Sequence, residues 1–561
     1  MEKANSSPDT RDEYRNKRNQ YLIILIIIIA PLYLFQLGNY ALMEPDEGRY
    51  AEIPREMLES GDYITPYLNY VRYLEKPPLC YWSTALSIQI FGQNEFAIRF
   101  PVAIFGIGLV IATYLAGSYM FGLRTGFISA LITASCPLFF GFSRIVTLDM
   151  IFSFFINAGL FSFYTAYKEK KRLFFLISYA LFAFATLAKS PIGILFPVVS
   201  IAIFLLVNKE LKLIKELRII SGIIVFLIIV LPWFIAISLC NEGFLQFYFI
   251  REHLMRYTTE ISRRPGHPLL FTILLTGGML PWSVLLPGSV VFTIKEKLKP
   301  LTFLSIFTGF LLLFFSFSSS KLPGYILPAI APCGILCGYS FDRLFLQKRE
   351  TDKRLRKIII ILAAIILITV ITGAAIVGIT HIAGRKGIGL NTQDILTFMI
   401  PLAVGIILSF IFVKMKRAEL AFASLFAGTM VLLILIIMNV KTFEPRYANK
   451  NIAEELNKNL THESRIYVYA TRFETFASIS FYTGRRLIIV GEHRNSELEY
   501  GRLAAQESEY FITKDEFYKI LASNEKIFIL TKSKQQKVLE EIMGHKLNLL
   551  NSNYEQILLT N

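Results

Sequence analysis

Apolar residues along this chain fall in long unbroken runs separated by short polar clusters, a pattern that predicts helices crossing a lipid bilayer. A helix needs about 20 apolar residues to span the hydrocarbon core, and the run 21–42 supplies them without a single charge. Further runs lie near 96–118, 126–142, 150–167, 173–188, 191–207, 219–240, 269–292, 301–317, 325–345, 358–380, 395–413 and 420–440. Together they predict about 13 crossings. The preceding segment 1–20 mixes Arg11, Arg15, Lys17 and Arg18 with acidic residues, and the first apolar run is too long for a cleavable signal, so a retained helix behind a cytoplasmic tail is expected. The membrane region extends over 21–445. After residue 446 the pattern changes. Strand-like runs at 465–470, 487–490 and 526–530 alternate with helical stretches at 450–458 and 534–543, which predicts a small water-soluble α/β domain over 446–561.

Composition agrees with lipid as the solvent: 54% of residues are hydrophobic, only 18% are charged and 48 are Phe. The net charge of +16 does not point to nucleic acid, because the basic residues cluster between the apolar runs, at the N-terminus and at 168–172, 209–218, 295–299, 348–357 and 414–417. The positive-inside rule puts all of these clusters in the cytoplasm. An odd number of crossings then carries the loops 43–95 and 241–268 and the C-terminal domain to the outer side, the periplasm of a bacterial inner membrane. The five cysteines lie mostly in or beside apolar runs without metal-site spacing, so no chemistry is assigned to them. Cys333 and Cys337 read as small packing residues on one helix face.

Four outer segments carry the chemistry. Immediately after the first helix the chain reads Met-Glu-Pro-Asp-Glu-Gly-Arg-Tyr-Ala-Glu from Met43, placing Asp46, Glu47 and Arg49 at the membrane surface. Carboxylates there are costly to desolvate unless they face a cavity, a partner or a metal. The residues up to Ser60 have helical spacing, which predicts an amphipathic helix lying on the membrane surface. The same loop continues through Tyr63, Tyr67, Tyr70 and Tyr73 to Glu75, Lys76 and two prolines, so Lys76 is presented in a fixed direction as a phosphate ligand. Asp149 stands at the next outer junction. Arg251, Glu252, His253 and Arg256 crowd into the second long outer loop, and Lys321 and Tyr325 open a later run.

In this order, Glu-Pro-Asp-Glu-Gly-Arg-Tyr-Ala-Glu, Glu-Lys-Pro-Pro-Leu, Thr-Leu-Asp-Met, Arg-Glu-His-Leu-Met-Arg-Tyr and Lys-Leu-Pro-Gly-Tyr-Ile-Leu-Pro, the motifs resemble the lipid A aminoarabinose transferases. That family is related to the protein O-mannosyltransferases and oligosaccharyltransferases. The resemblance implies a polytopic helical C-type glycosyltransferase fold that takes its sugar from a polyprenyl (undecaprenyl) phosphate donor. It implies catalytic carboxylates at Asp46 and Asp149, with Glu47 beside them, and a donor-phosphate site made by Lys76, Arg256 and Tyr325. Glu75 and His253 offer two ligands for a divalent cation such as zinc, fewer than a site requires. The acceptor implied is a lipid A phosphate or another periplasmic glycan or protein, and the chain is expected to work as a monomer among membrane lipids. A transporter or flippase of lipid-linked substrates is the other class with this many helices, but it calls for charged or Gly/Pro-broken segments at the bilayer midplane in two related halves, and the sequence shows no such symmetry.

Overall fold

The structure is a computed structural model that describes residues 8–255, 266–347, 352–362, 364, 392–491, 498, 501, 510–523, 525–544 and 546–561. Among these, seven helices are long and apolar enough to cross a membrane: Asp12–Leu34, Glu95–Phe121, Leu148–Glu169, Ile219–Cys240, Lys299–Phe317, Pro323–Leu346 and Ala418–Met438. An eighth apolar stretch is broken, with Leu270–Gly278 and Trp282–Glu296 meeting at 109°. The sequence pattern reads this stretch as one span, but Pro281 lacks the amide that a continuous helix needs there. Proline also divides the run near 126–142, where Leu123–Ser135 stops at Cys136 and Pro137–Phe142 starts anew. Most of the run near 358–380 lies outside the described residues.

We label the first helices α1 (Pro8–Leu34), α2 (Asp46–Ser60), α3 (Leu79–Phe91), α4 (Glu95–Phe121), α5 (Leu123–Ser135), α6 (Pro137–Phe142), α7 (Leu148–Glu169), α8 (Arg172–Ala188), α9 (Ile192–Val207) and α10 (Ile219–Cys240). Helix α3 falls inside the segment expected to be an outer loop. Its 13 residues are fewer than the roughly 20 that mark a span, yet Leu86 and Ile90 are exposed, as lipid-facing residues are. The sides of α1 and α10 likewise present Ile23, Ile27, Ile220 and Ile228 outward. At the centre, helix Ile330–Phe341 is almost wholly buried. It presses so closely on α5 that a Cβ at Gly334 or Gly338 would lie 2.1 Å from Thr133 Oγ1 or 2.2 Å from Ser129 Oγ.

Beyond the last span stands a six-stranded sheet. Its strands are β3 (Arg465–Tyr469), β4 (Ile488–Val490), β5 (Phe511–Ile512), β6 (Ile527–Lys532), β7 (Asn548–Ser552) and β8 (Gln556–Thr560), after a small hairpin of β1 (Tyr67–Leu68) and β2 (Val71–Arg72) in the first outer loop. The order is β5-β4-β3-β6-β8-β7, with β3 to β6 parallel and the β6-β8-β7 edge antiparallel. The strand runs expected in the sequence are β3, β4 and β6, three neighbouring strands whose residues are nearly all buried. Buried strands read as continuous apolar runs.

Helix α2 differs from expectation in one respect. It is amphipathic and starts at Asp46, but residues Glu47–Met57 are buried, because the C-terminal domain covers the helix. Hydrogen bonds from the chain on either side of the helix reach that domain: Met43 forms a β-bridge with Ala448, and the Asn69 side-chain amide both accepts from Leu487 N–H at 2.8 Å and donates to its carbonyl at 2.9 Å. A surface-lying helix would leave one face on lipid; this one is clasped between protein layers.

Candidate active site

The connection from α1 to α2 is fixed by two buried arginines. Helix C-termini leave carbonyls without intrahelical partners, and Arg144 donates to those of Leu32, Tyr33 and Phe35. Arg99 donates to the carbonyls of Leu37, Tyr40 and Ala41, and its remaining donors reach both Glu47 oxygens at 2.9 and 2.6 Å. Glu47 accepts two further bonds, from the amides of Met43 and Val146, both at 3.0 Å. The structure thus places Glu47, expected beside the catalytic carboxylates, away from the cavity. Its carboxylate is saturated, completely buried and absent from the cavity wall, so it anchors the first turn of α2.

Its neighbour Asp46 points the other way. The Asp46 side chain is about half exposed and pairs with Arg49 at 2.5 Å, one helical turn on. Both line a cavity of about 670 Å³. Lys76 enters this cavity just before the prolines that start α3; its ammonium meets the Glu252 carboxylate and the Glu75 carbonyl, the latter at 3.1 Å. Asp149 sits in the first turn of α7, whose N-cap Thr147 accepts from the Asp149 amide. It pairs with Lys189, from the link between α8 and α9. The Lys189 ammonium also lies 4.8 Å from the ring centre of Tyr325, a cation–π distance. Gly324 is required beside them, since a Cβ there would stand 2.3 Å from Asp149 Oδ2.

The structure therefore brings Asp46, Glu75, Lys76, Asp149, His253 and Tyr325 to one cavity. Arg256 lies outside the described residues. Ile192, Leu195, Phe314 and Phe315 give the same cavity an apolar wall.

The two ligands expected for a metal, Glu75 and His253, both line the cavity. No group of three or more His, Cys, Asp or Glu suited to a metal occurs among the described residues. His253 donates through Nδ1 to the Tyr248 carbonyl at 2.5 Å. No step is assigned to a metal.

Sequence reasoning missed Lys189. A signal was present: the alternation that places 168–172 in the cytoplasm carries residue 189 to the outer side, where a lone lysine between two apolar runs runs against the positive-inside bias. Arg49 and Glu252 were visible as charges, but their pairing with Asp46 and Lys76 depends on folding. Chemically, the cavity offers ammonium groups held by carboxylates that an incoming anion can displace, beside carboxylates placed to meet positive charge.

Comparison with known proteins gives the same direction. The family model for dolichyl-phosphate-mannose-protein mannosyltransferase matches residues 75–235. An undecaprenyl phosphate-alpha-4-amino-4-deoxy-L-arabinose arabinosyl transferase of Yersinia pestis is 34% identical over 331 residues, covering 57% of this chain and 59% of the relative. The protein of that name from Serratia proteamaculans is 32% identical over 329 residues with the same coverage. Each alignment thus spans 59% of the relative's length. The crystal structure of ArnT from Cupriavidus metallidurans bound to undecaprenyl phosphate superposes over 96% of this chain and 98% of that one, with a TM-score of 0.82 and 25% identity. The oligosaccharyltransferase of Archaeoglobus fulgidus shares the fold at a TM-score of 0.52 and 13% identity, over 94% of this chain and 71% of that one. Over nearly the whole chain the fold is thus that of the Cupriavidus metallidurans ArnT structure, and the aligned part of the sequence is similar to the aminoarabinose transferases.

Proposed function

We propose that the protein is a membrane glycosyltransferase that moves a sugar from a polyprenyl phosphate donor to an acceptor at the outer face of the bacterial inner membrane. The donor with the strongest support is undecaprenyl phosphate-linked aminoarabinose, from the names of the relatives, and the acceptor taken with it is the lipid A phosphate that the sequence motifs imply. The observation that carries the reading is the set of cavity ion pairs, Lys76 with Glu252 and Lys189 with Asp149, in one cavity with Asp46 and an apolar wall.

The chemistry follows from charge. Transfer breaks the bond between the anomeric carbon and a phosphate oxygen, so negative charge grows on the departing phosphate while the sugar carbon becomes cation-like. Lys76, Lys189 and Tyr325, joined by Arg256 from the second outer loop, bind the phosphate oxygens. Cations there stabilise the transition state more than the ground state. Asp46 and Asp149 face the sugar and the acceptor, orient them and stabilise the positive carbon, as carboxylates do in glycoside chemistry. A phosphate acceptor is already an anion, so its attack needs no general base.

The test is reconstitution. Purified protein in vesicles, supplied with undecaprenyl phosphate-aminoarabinose and lipid A, should yield lipid A heavier by one aminoarabinose residue by mass spectrometry. Donor consumed without that product would redirect the acceptor, and donor left intact in every acceptor mixture would refute the transferase reading.

A further inference from the structure

Helix α2 carries Asp46 and Arg49 to the cavity, and it is held from two sides. On the membrane side Glu47 is fixed by Arg99. On the opposite side stands Glu44, two residues before Asp46, whose hydrogen bonds lead into the C-terminal domain. The Glu44 amide donates to the Tyr447 carbonyl at 2.7 Å. Its carboxylate oxygen Oε1 accepts from the Ser478 amide at 2.6 Å and from Asn449 Nδ2 at 3.4 Å. Asn449 is itself tied to the Thr475 carbonyl at 2.8 Å.

Ser478 lies in the first turn of the helix Ala477–Thr483, whose own N-cap residue, Phe476, provides no side-chain bond. First-turn amides of a helix need an outside acceptor. Here the acceptor comes from another part of the chain. The approach is so close that only glycine fits at position 48: a Cβ there would lie 2.5 Å from the Ser478 amide and 2.3 Å from Glu44 Oε2.

We propose that Glu44, seated over Gly48, is a positioning residue through which the C-terminal domain sets the place of Asp46 in the cavity. The proposal rests on the transferase reading above and gives the C-terminal domain a part in it. Glu44 Oε2 is buried with no hydrogen-bond partner among the described residues, and burial pushes the carboxyl up to about 8 against the bonds from Ser478 and Asn449. The neutral acid is therefore the form that docks at neutral pH. Glutamine reproduces its acceptor and its neutrality; alanine reproduces neither.

The experiment compares Glu44→Gln, Glu44→Ala and Gly48→Ala in the full-length protein in lipid nanodiscs. Transfer kinetics are measured beside hydrogen exchange of residues 46–60. Displacing a reacting group by about 1 Å can cost two orders of magnitude in rate, so Glu44→Ala and Gly48→Ala should each lower kcat at least about ten-fold and speed exchange in 46–60. Because the phosphate-binding lysines are untouched, KM for the donor should stay within about two-fold. Glu44→Gln should keep at least half of wild-type kcat. If Glu44→Ala loosens the helix but turns over like wild type, the contact is structural only and the proposal fails. If neither alanine variant alters exchange in 46–60, the C-terminal domain does not hold the helix and the proposal fails again. A wild-type protein that transfers nothing would instead sink the transferase reading, while the exchange comparison still decides whether Glu44 positions α2.

Discussion

The ion pair beneath α2 and the ion pairs around the cavity differ in kind. Under α2, Arg99 and Glu47 are fully buried, and every bond that they make is to protein. Around the cavity, Lys76 with Glu252 and Lys189 with Asp149 keep about a tenth or more of each side chain accessible. The first group is saturated, so it has nothing to offer a ligand. The second can exchange a carboxylate for a phosphate. Saturation, and not the presence of charge at the membrane surface, separates the residues that hold this site from those that use it.

That contrast breaks first under truncation of the buried pair. Arg99→Ala leaves Glu47 as an unpaired buried charge, which typically costs about 3–5 kcal/mol. The expected result is a protein that expresses poorly or melts far below wild type. Unchanged melting would show that the pair does not hold the loop. Next come the cavity cations. Lys76→Ala and Lys189→Ala should leave melting near wild type and lower transfer by about 2–4 kcal/mol of transition-state stabilisation, or roughly 30-fold to 1000-fold. Transfer within about two-fold of wild type in both would reduce these lysines to headgroup anchors.

How far was this visible in the sequence? The spans were legible because lipid demands long apolar runs, and the basic clusters between them give the expected sides. Asp46, Lys76, Asp149 and Tyr325 were legible as charges or phenols at one predicted depth. What the sequence could not reveal was direction. Asp46 and Glu47 are adjacent in one acidic first turn, and only folding turns one to the cavity and the other to Arg99. The burial of α2 was hidden for a similar reason, since its apolar face looks alike whether lipid or a second domain covers it. The kink at Pro281 and the short helix α3 escaped because a window of span length averages over both.

A smaller effect concerns pH. Burial pushes the Glu44 carboxyl up to about 8 from its ordinary 4.5, so its contribution to docking is complete below pH 4.5 and is lost as pH rises toward and through 8. Scanning calorimetry should show the C-terminal domain melting lower at pH 9 than at pH 6, by about 1–3 kcal/mol of stability, and Glu44→Gln should remove that part of the difference. A Gln variant with the wild-type pH dependence would assign it to another group. Smallest is Tyr325→Phe, which keeps the ring beside Lys189 and removes only the hydroxyl. Loss of one hydrogen bond of about 1 kcal/mol should lower turnover several-fold, and a loss as large as that of Lys189→Ala would mean that the hydroxyl takes part in the chemistry.

The most direct test of the account is transfer by Asp46→Asn and Asp149→Asn in vesicles containing donor and acceptor, with melting measured on the same samples. Both should melt like wild type, and each should transfer at least about a hundred-fold more slowly. Folded variants that transfer at the wild-type rate would place the reaction outside this cavity and contradict the account.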